Sequence, residues 1–137
     1  MKICKQCSEL FDPIDKRVVC HVKPLSVNEV WQGKRFKTKK YTEYEKALFL
    51  LLPPIEVPNG KLSISIHYGF SNSMSDIDNP CKPFLDILQK KYGFNDNMIY
   101  ELIQTKEIVK KGAEFIGFEI NEYKRKTKEL NEISLHG

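Results

Sequence analysis

Between Leu62 and Gly93 the hydrophobic period of the chain changes, and that change limits the fold more than any other feature. Leu62, Ile64, Ile66 and Tyr68 alternate with Lys61, Ser63, Ser65 and His67, the two-residue period of a strand with one buried face. A loop of mostly small residues, Gly69 to Ser75, carries the chain out of that strand. Asn79 is then placed to cap a helix that starts at Pro80. Cys81, Phe84, Leu85, Leu88 and Tyr92 recur near 3.6-residue spacing as its buried stripe, and Gly93 supplies the stop.

The remaining segments divide in the same way. Arg17 to Lys23 reads as a first strand, ended by Pro24-Leu25-Ser26-Val27-Asn28. Thr42-Glu43-Tyr44-Glu45 has the form of a capping box, and Tyr44, Ala47, Leu48 and Leu51 continue a helix until Pro53-Pro54. Phe49, Leu50 and Leu52 widen its apolar surface, as extra core or as a subunit interface. Asn95-Asp96-Asn97 turns into a strand from Ile99 to Val109, and Lys110-Lys111-Gly112 turns back into Glu114 to Ile120. These last two strands read as a hairpin.

With 137 residues, 41% of them hydrophobic, the chain suffices for one domain with a real core. We expect a single small α+β domain over residues 17–120, a mixed β-sheet with two main helices. A cysteine-containing arm, residues 1–16, precedes it, and a charged helix or tail, residues 121–137, follows. The start lacks the pattern of a secretory leader, and the longest apolar run, Ala47 to Leu52, is far too short to span a bilayer. The expectation is a soluble, cytoplasmic protein with no membrane partner.

The net charge is +4, yet acid is concentrated between Asp76 and Asp96. Asp76 and Asp78 flank one apolar residue, so in extended backbone both carboxylates point to one side, as two oxygen ligands of a hard cation must. Asp78, Lys82 and Asp86 then stand one above another on the helix edge, a spacing that also describes an ordinary salt-bridged surface. A basic body around an acidic pocket suits a polyanion held by the one and a metal held by the other. Lys34, Arg35, Lys37, Lys39 and Lys40 interleave with Trp31, Phe36 and Tyr41, the composition of a loop that neutralises phosphates and stacks on bases, or else of a solvated loop with Trp31 tucked into the core. Cys4-Lys5-Gln6-Cys7, with Cys20 and His21, has the ligand types of a partial zinc knuckle. The alternative is a reduced thiol pair, and Cys20 and His21 point to opposite faces if they lie on a strand.

The run Asp76-Ile77-Asp78-Asn79, then Lys82, Asp86 and Asp96, resembles the RusA family of Holliday junction resolvases, as does Lys23-Pro24-Leu25-Ser26-Val27-Asn28 followed by a basic loop and a helix. The resemblance spans roughly residues 17–120. It implies a RusA-like fold, a homodimer of bacterial or phage type, and a magnesium-dependent endonuclease, with manganese as a substitute, acting on branched DNA in recombination and repair. By position it makes Asp76, Asp78 and Asp96 metal ligands, Lys82 an essential lysine, Asp86 a further acid and Asn79 a DNA contact. Asn95 departs from the family, which often carries adjacent aspartates there. Two other functions compete with junction resolution: a non-catalytic DNA-binding module with a zinc-stabilised arm, and a metal nuclease of flaps or forks.

Overall fold

The structure, a computed structural model, describes residues 17–125. Its center is β4 (Leu62–Phe70), the strand marked by the alternation. Leu62, Ile64, Ile66 and Tyr68 are buried, while Ser63, Ser65 and His67 on the other face are partly open. β6 (Phe115–Glu122) lies antiparallel on one side of β4 and β5 (Ile99–Ile108) parallel on the other. β1 (Val18–Cys20) pairs with β6, giving the order β1-β6-β4-β5. The expected first strand is thus shorter than residues 17–23.

Two helices cover one face. α1 (Lys39–Leu51) contributes Tyr44 and Leu48, and α2 (Cys81–Tyr92) contributes Phe84, Ile87 and Leu88, all buried in one core with Ile116, Phe118 and Ile120 of β6. The Phe84 ring meets the edge of Phe118 at 5.5 Å. The molecule is a small mixed α+β domain of two layers. Among the described residues no helix is long and apolar enough to cross a membrane.

Three expectations change. β5 and β6 are not a hairpin: both border β4, on opposite sides. Alternation reports which face of a strand is buried and says nothing of its neighbor. α1 begins at Lys39, because Thr38 rather than Thr42 is the cap, its hydroxyl accepting from the Tyr41 N–H at 3.1 Å. Lys39 and Lys40 are therefore helical. α2 begins at Cys81, with Pro80 at the cap position and no side-chain cap, so Asn79 is not the cap. A turn leads in, the Cys81 N–H bonding the Asp78 carbonyl at 3.3 Å, and Pro83 falls in the first turn, where its missing N–H costs nothing. Gly93 ends the helix as expected, at φ 73°.

Candidate active site

The loop after β4 leaves the sheet at the C-terminal end of that strand and presents Asp76 and Asp78, both exposed. Lys106 of β5 ties it down, its Nζ donating to the Ser75 carbonyl at 2.6 Å. Asp76 lines a cleft of about 290 Å³ with Lys23, Ser26, Glu29, Asn79 and Glu114 among its walls. The far wall is a short 3-10 turn, Val27–Glu29, closed by a reciprocal cap between Ser26 and Glu29. The Val27 N–H donates to the Asn79 carbonyl at 2.8 Å, so that wall is fastened to the entry of α2.

Glu114 is an acid of this cleft that sequence reasoning missed. Its carboxylate accepts from the Ser71 hydroxyl at 2.9 Å and the Gly112 N–H at 2.7 Å. Its own backbone N–H, Ser71 and Gly112 hold it below the usual carboxylate range, with Lys23 adding to the effect. Only the pairing of Gly69 with Phe115 brings Ser71 and Glu114 together, so no local pattern announces the contact. The Ser26-to-Glu29 wall was missed as well, although Ser-x-x-Glu is a capping-box signature that could have found it.

One turn into α2, Lys82 donates to Asp86 at 3.1 Å, the expected i, i+4 pair. Asp96 lies elsewhere. It follows α2, its N–H bonded to the Gln89 side chain at 3.0 Å, whereas Asp78 precedes α2. The helix between the two positions is about 18 Å long. The parallel register of β4 and β5 shows the same thing: Ile99 is level with Leu62 and Ile108 with Phe70, so Asp96 is at one end of the sheet and Asp76 at the other. The expectation that Asp96 turns back to Asp76 and Asp78 within one chain is corrected by this topology. Among the described residues no three His, Cys, Asp or Glu side chains converge as a metal cluster.

The basic segment is a ribbon. β2 (Trp31–Gln32) pairs with β3 (Phe36–Lys37), and Gly33, at φ 72°, lets the chain turn through Lys34 and Arg35. Trp31 is half exposed rather than tucked into the core. The Lys37 Nζ sits over the Trp31 and Tyr41 rings, Lys40 pairs with Glu29 and Lys39 with Glu43. Lys34 and Arg35 have no acidic partner among the described residues. Of the zinc candidates, Cys4 and Cys7 lie outside the described residues. Cys20 is 1% exposed beside Tyr44 and Tyr92 and His21 is exposed, so the two side chains diverge.

Compared with known proteins, the chain matches no family model, and no curated protein is significantly similar to it. The resemblance to the resolvases therefore rests on the motif residues and their spacing alone.

Proposed function

We propose that the protein is a magnesium-dependent, structure-specific endonuclease that resolves four-way DNA junctions by paired symmetric nicks, in DNA recombination and repair. The observation that carries this reading is the exposed Asp76 and Asp78 pair on a tethered loop at a strand end, beside a polar cleft, with a basic ribbon rising from the opposite wall.

Asp76 and Asp78 are hard oxygen donors that no lysine or arginine neutralises among the described residues, which suits magnesium, and manganese in its place. Asp76 and Asp78 would hold the ion, which would supply Lewis-acid stabilisation to the phosphoryl oxygens and lower the pKa of the attacking water. Lys82, held upright by Asp86, faces solvent on the same helix edge and can receive the scissile phosphate or support the departing oxygen. Asn79, at the cleft rim, and the lysines and Arg35 of the ribbon hold the flanking backbone. In this reading Asp96 acts through a homodimer: a two-fold axis beside β5 brings Asp96 of the partner subunit to the sheet end that carries Asp76 and Asp78.

The separation of Asp96 within the chain favors one rival, a DNA-binding module without catalysis, with or without zinc on its arm. Cleavage of a synthetic four-way junction, a linear duplex and a flap in magnesium distinguishes them. Paired symmetric nicks on the junction alone are expected, and Asp78→Asn should abolish nicking while retaining junction binding. Wild-type protein that binds junctions but cuts none, with magnesium or manganese, establishes the binding module. Preferred cutting of the flap establishes the flap nuclease.

A further inference from the structure

The ribbon has two faces, and the structure treats them differently. Directly paired residues of antiparallel strands share a face, so Trp31 lies with Lys37, and Phe36 lies with Gln32 on the other side. The first face turns toward the body, where Lys37 bridges the Trp31 and Tyr41 rings and Tyr41 is buried. The second turns outward and leaves Phe36 73% exposed, next to Lys34 and Arg35 at the tip. A large aromatic so exposed gains nothing from the core. It is flanked by charges that suit a polyanion, which decides the chemistry of what covers it.

We propose that Phe36 stacks on a nucleobase face left unstacked at the branch point of junction DNA while Lys34 and Arg35 hold the adjacent phosphates; this rests on the junction reading above. Fully paired duplex hides its base faces, whereas the crossing strands of a branch can expose one. Phe36 therefore reads structure and is indifferent to base identity, because every base has a π-face. Its position fits. The ribbon is rooted where the Thr38 N–H bonds the Val30 carbonyl, one residue beyond the turn that walls the Asp76 cleft. Phe36 pairs with Gln32, about 7 Å of strand past Val30, so a backbone lying in the cleft keeps its neighboring bases within reach.

The test is binding, with calcium in place of magnesium, to a four-way junction and to a linear duplex of equal length. Phe36→Ala should weaken junction binding about 10-fold or more, the scale of one lost base–aromatic stack, and change duplex binding by less than about 2-fold. Phe36→Trp should restore the junction affinity. Lys34→Ala with Arg35→Ala should weaken both substrates and flatten the salt dependence. Junction affinity unchanged in Phe36→Ala, or lost equally from duplex, overturns the stacking role. If the wild type cuts junctions and Phe36→Ala binds them as tightly, only this inference falls. If the wild type binds neither DNA, the junction reading falls with it.

Discussion

Glu45 shows what one carboxylate does where the two helices meet. Its Oε2 accepts from the Tyr41 hydroxyl at 2.9 Å and from Lys90 Nζ at 2.8 Å, linking α1 to α2. Burial, then the bond to Glu45, pushes the Tyr41 phenol up to about 12. Burial works against ionised Glu45, but the bonds from Lys90 and Tyr41 and the Lys90 charge outweigh it, and its pKa falls below the ordinary carboxylate value. A carboxylate depressed on folding stabilises above its unfolded value, and that contribution is lost as pH falls through the folded one. Glu45→Gln should therefore cost about 1 kcal/mol at neutral pH, and the difference should close as pH falls through the depressed folded pKa of Glu45, which urea unfolding at neutral and at strongly acidic pH measures. At this scale the sequence was informative where chemistry is local. The Lys82–Asp86 bridge follows from spacing alone. The full environments of Glu114 and Glu45 do not, since each also binds a partner about forty residues away in sequence, Ser71 and Lys90.

The elements were legible in kind and less so in their ends and neighbors. The alternation of Leu62 to Tyr68 and the stripe of Phe84 and Leu88 survive because burial on one face enforces them. Start signals failed where two competed, as with Thr38 and Thr42 for α1. Strand adjacency failed because β5 was read as the hairpin partner of β6, and the pairing of β4 with both is a property of the whole sheet. Two glycines test the element boundaries. Gly93 holds φ 73° with open space around it, so Gly93→Ala should cost about 1 kcal/mol through backbone strain alone, lowering the urea midpoint at constant m-value. Gly69 has an ordinary φ, yet a Cβ there runs into the Phe115 ring across the β4–β6 pair. Gly69→Ala should cost about 1–3 kcal/mol, and much of that should vanish in the double variant with Phe115→Ala. Simple additivity of the two costs would show that the ring is not the obstacle.

For the whole molecule the open question is β5. It is ten residues long, paired on one side by β4 and bordered by no strand on the other among the described residues, and it exposes Tyr100, Leu102, Ile103 and Ile108. A long apolar edge invites another strand. Antiparallel pairing with a second copy about Ile103 sets Ile103 against its own copy and Tyr100 against the partner subunit's Lys106. Centering on Gln104 instead sets Glu101 against Glu107 of the partner subunit, a like-charge pair. In the proposed dimer the same two-fold arrangement would move Asp96 of the partner subunit to the end of the sheet where Asp76 and Asp78 stand, offsetting a separation that the parallel β4–α2–β5 unit imposes on a single chain. This makes a prediction that a self-contained site does not share. Asp78→Asn and Asp96→Asn should each be inactive alone. Mixed as subunits, they leave one site with both changes and one site with neither, so the mixture should recover single-strand nicking of a junction, up to about a quarter of wild-type sites after random exchange. Ile103→Lys should prevent that recovery and yield a monomer by sedimentation. If the mixture stays as inactive as its components while exchange is verified, the site is not shared between subunits in this way; Asp96→Asn that nicks junctions at the wild-type rate on its own would show that Asp96 has no part in it.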